Sequence, residues 1–261
     1  MKVTKLALAA VFAVSSLPAF VQAAEEAKSD WSITGNAGLY SDYRFRGLSQ
    51  TDKKPAFQGG FDIAHSSGFY LGNWNSNVDS GFFNGANIEM DFYGGFKFPL
   101  GDAALDIGGL YYYYPNSDRG DFGLPEKIDN FEVYFGAAYG PVSAKLYYPV
   151  GDFFSAEDNF GGGNAGGSYY LDLSGSHDLG SGFGLTAHLG YQKLKGAARL
   201  TEIDGTVTSS YVDWRLGITY TFSNGFVAGL SYVDTNRDYA GFVPNREISD
   251  STVVFNLSKT F

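Results

Sequence analysis

From Trp31 to the end of the chain, apolar and polar side chains alternate with a period of two, in segments broken by turn residues. A period of two puts successive side chains on opposite faces of an extended strand, so each segment predicts a β-strand with one apolar and one polar face. The first sets Trp31, Ile33, Ala37 and Leu39 against Ser32, Thr34, Asn36 and Tyr40. The second sets Phe57, Phe61 and Ile63 against Gln58 and Asp62. The third, Phe69 to about Asn77, has Tyr70, Trp74 and Val78 in one phase; Leu71 falls in the other and makes it the least regular. In the fourth, Ile88, Met90, Phe92, Phe96 and Phe98 alternate with Asn87, Glu89, Asp91, Tyr93 and Lys97.

The same grammar continues to the C-terminus. The apolar phases Leu105/Ile107/Tyr111/Tyr113, Phe131/Val133/Phe135/Tyr139 and Val142/Ala144/Leu146/Tyr148 face polar phases that hold Asp106, Tyr112, Tyr114, Glu132, Tyr134, Lys145 and Tyr147. Tyr169/Leu171/Leu173 oppose Tyr170, Asp172 and Ser174, and Phe183/Leu185/Leu189/Tyr191 oppose Thr186, His188 and Gln192. Val212 to Phe222 carries Asp213 and Arg215 on its polar phase, Phe226/Leu230/Tyr232 follow, and Val253, Phe255, Leu257 and Phe261 close the series. That makes twelve segments, an even number, as a single-chain bacterial barrel with both ends on one side requires.

Connections alternate in kind. Residues 65–68, 99–102, 140–141, 180–182 and 223–225 are tight Gly-, Pro-, Ser- or Asn-rich turns. Between them lie longer polar stretches, about 46–54, 79–86, 115–128, 151–167, 195–209 and 235–248. Short periplasmic turns and long external loops are the asymmetry of outer-membrane barrels. A soluble β-sandwich or lipocalin-like barrel also alternates. Segments of about 9–13 residues span a bilayer at a tilt, aromatics gather at segment ends, and the chain stops on an aromatic; together these favour the membrane. The predicted fold is therefore all-β, a single 12-stranded antiparallel transmembrane β-barrel over residues 31–261.

Composition agrees with that pattern. Aromatics make up 17% of the chain, with 19 Tyr and 23 Phe, and Gly is 35 of 261. Mean hydropathy is nevertheless only −0.14, and long apolar runs are missing after residue 23. Lipid-facing and lumen-facing positions in alternation produce that balance; helical spans do not. Residues 1–23 read as a cleaved signal peptide, with Lys2 and Lys5, an apolar run from Leu6 to Phe20, and small residues in Val21-Gln22-Ala23. Residues 24–30 then form a short periplasmic lead-in. The net charge is −10, and removal of the two signal lysines makes the remainder more acidic, which argues against nucleic acid as a partner. Cysteine is absent, so thiolate chemistry and disulfides are excluded.

Candidate chemistry is sparse. His65 sits at a tight turn and His177 near the periplasmic rim. His188 lies on a polar phase with no His or Cys at metal-ligand spacing. Ser176-His177-Asp178 is at the wrong end for an outer-leaflet lipase, and adjacent residues point to opposite faces. Asp118-Arg119-Gly120-Asp121 and Glu157-Asp158-Asn159 lack a calcium-loop pattern. The expectation is no catalytic, metal or cofactor-binding residue and no cofactor.

The polar phases say more. A basic residue on the lipid face near mid-membrane costs roughly 2–4 kcal/mol, so the charges belong inside. That predicts a lumen lined by Asp62, Glu89, Asp91, Tyr93, Lys97, Asp106, Tyr112, Glu132, Tyr134, Lys145, Asp172, His188, Asp213 and Arg215. The lining is net acidic, disfavouring anions, and crowded with tyrosines. Loop 151–167, with Phe153, Phe154 and Phe160, is a candidate to fold inward and narrow it.

Tyr40-Ser41-Asp42-Tyr43-Arg44-Phe45-Arg46-Gly47-Leu48-Ser49-Gln50, followed by Pro55-Ala56-Phe57-Gln58-Gly59-Gly60-Phe61-Asp62, resembles the proteobacterial TorF-type porin family. The likeness extends through Gly72-Asn73-Trp74 and Glu89-Met90-Asp91. It implies an outer-membrane barrel with a porin-like role and carries over no substrate or catalytic residue. The expected function is a channel of the bacterial outer membrane for passive diffusion of small hydrophilic solutes, mildly cation-preferring. The alternatives are a lipid- or lipopolysaccharide-modifying enzyme and a plugged structural or surface-interaction barrel. Expected partners are outer-membrane lipids, small solutes, and the barrel-assembly machinery acting on the strand that ends at Phe261.

Overall fold

A computed structural model describes residues 29–118, 127–239 and 247–261. The expected signal peptide and residues 119–121 of one acidic loop cluster lie outside them. Twelve strands form one closed barrel in which every strand pairs with its neighbours in sequence. They are β1 (Trp31–Tyr40), β2 (Ala56–His65), β3 (Phe69–Asn77), β4 (Ile88–Leu100), β5 (Ala103–Tyr113) and β6 (Asn130–Tyr139). The second half comprises β7 (Val142–Pro149), β8 (Tyr169–Gly180), β9 (Phe183–Lys193), β10 (Ser210–Thr221), β11 (Phe226–Thr235) and β12 (Thr252–Thr260). All pairs are antiparallel, and β1 closes on β12 with Asn36 opposite Thr260 and Tyr40 opposite Asn256. The seam runs to the last residue: the Phe261 amide donates to the Gly35 carbonyl at 2.8 Å and the Gly35 amide returns a bond at 3.1 Å. A closed ladder leaves no unpaired edge, which a bilayer does not tolerate.

The apolar phases point outward. Ile33 is 71% exposed and Phe255 53%, whereas the interior residues Glu132 and Tyr170 are at 0% and 1%. This is a protein turned inside out relative to a soluble core, and only a hydrocarbon surround makes it stable. Aromatic contacts on the outer wall mark two levels. Phe96–Phe98, Phe183–Tyr220 and Tyr220–Phe222 lie toward the turns, and Tyr111–Tyr113 and Tyr169–Tyr191 toward the loops.

The third strand resolves the phase that its sequence leaves irregular. Tyr70 and Trp74 point inward, both 4% exposed, and the lipid phase is Phe69 and Leu71 followed by Asn73 and Asn75. Asparagines at outward positions hid the phase. Their amides are satisfied locally: Asn75 Nδ2 donates to Asn73 Oδ1 at 2.6 Å and to the Gly59 carbonyl at 3.1 Å, and Asn73 Nδ2 to the Asp91 carbonyl at 3.0 Å. An unbonded amide there would carry the full cost of desolvation.

Candidate functional site

The barrel interior is built in two tiers. Toward the tight turns, strand residues partner one another. Lys145 Nζ on β7 meets Asp106 Oδ2 on β5 at 2.9 Å, and Tyr70 on β3 donates its hydroxyl to Asp106 Oδ1 at 2.6 Å. The Tyr70 and Tyr134 hydroxyls are also bonded to each other. Tyr93 donates to Asp62 at 2.7 Å, and Lys97 lies over the Tyr70 ring at 4.8 Å.

Around mid-height, His188 on β9 bridges two carboxylates. Its Nδ1 is 3.1 Å from Asp172 on β8 and its Nε2 is 2.9 Å from Asp213 on β10. Nε2 is at hydrogen-bond distance from Asp213, while Nδ1 lies beside the Asp172 carboxylate. Ser174 lies 3.2 Å from Nδ1, which gives a serine, a histidine and an aspartate in contact. The serine hydroxyl, however, donates to Asp172 Oδ1 at 2.7 Å and is held by a carboxylate, not offered to the imidazole as a nucleophile. Tyr170 completes the cluster, with its hydroxyl 3.0 Å from Asp213 Oδ2. The fit is so tight that a Cβ on Gly190 would strike the Tyr170 hydroxyl and Asp213.

Toward the loops, the wall is acidic and the filling comes from a loop. The segment 41–55 between β1 and β2 (loop 1) makes a small hairpin, Arg44–Phe45 paired with Leu48–Ser49, that enters the barrel. Asp42 organises it by taking Arg44 Nε at 2.5 Å, the Ser49 hydroxyl at 2.7 Å and the Thr51 hydroxyl at 3.0 Å. Arg46 and Gly47 form the tip with φ of +48° and +83°. Gly47 is lodged against the wall at β10 and β11, where a Cβ would come within 2.5 Å of Thr235 Cγ2 and 2.7 Å of Asp213 Cβ; only glycine fits. The Arg46 side chain reaches Glu132 Oε2 on β6 at 2.7 Å and Gln192 Oε1 on β9 at 2.8 Å. Its guanidinium carbon lies 4.4 Å from the Tyr170 ring centre and 4.7 Å from that of Phe45. Tyr43, also from loop 1, donates to Glu89 Oε1 at 2.7 Å, while Tyr114 takes Oε2 at 2.8 Å.

Other loops seal this tier. Phe154, in a short helical turn Phe153–Ser155, packs between Tyr112 and Phe45 at 5.4 and 6.4 Å. Phe82 and Phe83 from residues 79–86 are buried beside it, Phe83 stacked on Tyr114 at 4.7 Å. At the rim, Arg44 Nη1 donates to the carbonyls of Ile248 and Asp250 at 3.1 and 3.0 Å, and Lys53 pairs with Asp250 at 2.7 Å. Lys54 is exposed, and its hydrogen bonds to Asp79 and Asp52 hold its ammonium above the usual lysine value.

All the expected lining residues lie on the inward phase of their strands. Asp62, Glu89, Asp91, Tyr93, Tyr112, Glu132, Tyr134, Asp172, His188 and Asp213 are buried, and Lys97, Asp106, Lys145 and Arg215 are half-buried. What differs is the agent of closure. Loop 151–167 contributes Phe154, whereas Phe160 is 50% exposed; most of the loop residues inside come from loop 1. Arg46 and Tyr43 were missed because a short polar stretch reads as solvated. The surplus of acid on the inward phases was the signal that a cation had to come from elsewhere. Among the described residues, no three His, Cys, Asp or Glu side chains are grouped to hold a metal ion.

The profile of a family described as "Bacterial protein of unknown function (Gcw_chp)" matches residues 24–261. The chain belongs to this family. No curated protein matches this Gcw_chp chain by sequence. Among solved structures, the NanC porin shares the fold with a TM-score of 0.53 at 10% identity, over 88% of this chain and 99% of that one. The KdgM porin gives 0.48 at 8% identity, over 88% and 97% of the two chains. An outer membrane channel from Pseudomonas putida F1 gives 0.46 at 13% identity, over 93% and 100%. At such identities the likeness is one of fold, and the fold is that of outer-membrane porins.

Proposed function

We propose that this Gcw_chp protein is an outer-membrane channel for passive diffusion of small hydrophilic solutes, cation-preferring, and narrowed at rest by its own loop 1. The observation that carries the reading is the inward charge. Asp62, Glu89, Asp91, Asp106, Glu132, Asp172 and Asp213 face the interior against Lys97, Lys145, Arg215 and the loop residue Arg46. A low-dielectric wall with net negative lining concentrates cations and repels anions. The porin-type fold and the resemblance to TorF-type porins support the same role, and Phe261 at the end of β12 supports delivery by the barrel-assembly machinery.

The test is planar-bilayer recording of the refolded barrel in asymmetric potassium chloride. Small openings with a cation-selective reversal potential are expected, and clear anion selectivity sinks the reading. A second reading, a plugged structural barrel, is favoured by the inserted hairpin. Recordings of the intact barrel separate the two, since a barrel plugged by the hairpin stays silent until residues 44–49 are removed.

A further inference from the structure

The Arg46 guanidinium sits in a receptor that belongs to the barrel wall. Glu132 is on β6, Tyr147 on β7, Tyr170 on β8 and Gln192 on β9, so the ladder positions them whether or not loop 1 is present. Their chemistry is matched to one cation. A carboxylate and an amide oxygen accept from the guanidinium at 2.7 and 2.8 Å, and the rings of Tyr170 and Tyr147 lie 4.4 and 5.6 Å from its carbon. A planar delocalised cation that stacks on rings while forking onto a carboxylate answers this arrangement better than a compact ammonium.

The receptor is also incompletely used. Glu132 is wholly buried, and Oε2 takes both Arg46 and the Tyr112 hydroxyl while Oε1 has no hydrogen-bond partner. A buried carboxylate oxygen left unbonded is a site waiting for a donor. Arg46 delivers its side chain from a left-handed backbone beside the wedged Gly47, and from there it reaches one oxygen only. A free guanidinium has no such leash and can address both oxygens of Glu132 in the two-point mode.

We propose that this wall site binds guanidinium-bearing solutes, and that Arg46 is its tethered competitor. A solute that takes the site displaces Arg46 and loosens the hairpin from the barrel. The proposal rests on the channel reading for the route by which the solute arrives, but the binding itself does not.

The experiment is isothermal titration calorimetry on detergent-refolded barrels, with folding checked by heat-modifiable gel mobility and methylguanidinium as the probe. Arg46→Ala should bind methylguanidinium at least about tenfold more tightly than the wild type, because the competitor that kept the site occupied is gone. It should also prefer methylguanidinium to methylammonium, and adding Glu132→Gln should abolish the binding. If Arg46→Ala fails to refold, replacement of residues 44–49 by a Gly-Ser link removes the same competitor. Equal binding by the wild type and the competitor-free barrel, or binding that survives Glu132→Gln, overturns the proposal. The two readings fail separately. Binding as expected in a barrel that never conducts removes the channel and leaves the site; conduction with no such binding does the reverse.

Discussion

The two tiers of the barrel interior hold similar residues and solve the same electrostatic problem in opposite ways. Near the turns, Asp106 is answered by Lys145 and Tyr70, and Asp62 by Tyr93, all fixed in the strand ladder. The Lys145–Asp106 pair keeps 14% and 13% of its side-chain surface exposed, so part of its hydration survives. Near the loops, Glu89, Asp91 and Glu132 are 1%, 2% and 0% exposed, and the partners of Glu89 and Glu132 include Tyr43 and Arg46 from loop 1. The first tier is filling that cannot leave without breaking the sheet. The second depends on a loop hairpin that Asp42 holds together internally. Filling therefore comes from the strands in one tier and, on the function proposed above, closure comes from a loop in the other.

The largest effect should come from removing the hairpin. With residues 44–49 replaced by a Gly-Ser link, single-channel conductance should rise severalfold, while Lys145→Ala should change it little. If the two changes have similar effects in planar bilayers, the distinction between filling and closure fails.

Next in size are single breaks of the ion pairs. Glu132→Ala strands the Arg46 guanidinium in a buried site, and losing one partner of such a pair costs about 3–5 kcal/mol. The hairpin should respond by leaving, and trypsin should then cut after Arg46, a bond protected in the wild type. Lys145→Met, near the turns, removes a charge-assisted bond from a half-hydrated pair and should cost about 1.5–3 kcal/mol in urea unfolding, with no new cleavage in loop 1. Cleavage after Arg46 in the Lys145 variant would mean that the tiers are coupled.

These contrasts also mark what the amino-acid sequence reveals. Strand phase was legible wherever lipid imposes apolar side chains, as in Phe92/Phe96/Phe98 or Leu216/Ile218/Tyr220, because the bilayer penalises every exception. It was irregular in β3, where Asn73 and Asn75 face outward and escape the penalty by bonding each other and strand carbonyls. The inward charges were legible for the same reason. Their partners were not, since cross-barrel pairing such as Tyr43–Glu89 or Arg46–Glu132 depends on where a loop goes, and no periodicity encodes that. The Ser174–His188–Asp213 contact is a further case: three strands bring together residues that share only a phase.

The smallest effect should be that of the aromatic seal, and it tests whether closure is ionic at all. Phe154 meets Tyr112 at 5.4 Å and Phe45 and Tyr114 at 6.4 and 6.3 Å, and aromatic pairs contribute about 0.5–1.5 kcal/mol each beyond area burial. These contacts press on Phe45 at the side of the hairpin, whereas Arg46 anchors its tip. Phe154→Ala should therefore speed trypsin cleavage after Arg46 modestly, well short of Glu132→Ala, and Phe160→Ala, from the exposed side of the same loop, should leave it unchanged. Were Phe154→Ala to release the hairpin as fully as Glu132→Ala does, the loop-end tier would be closed by packing, and the acidic wall beneath it would be a lining like that of the turn end.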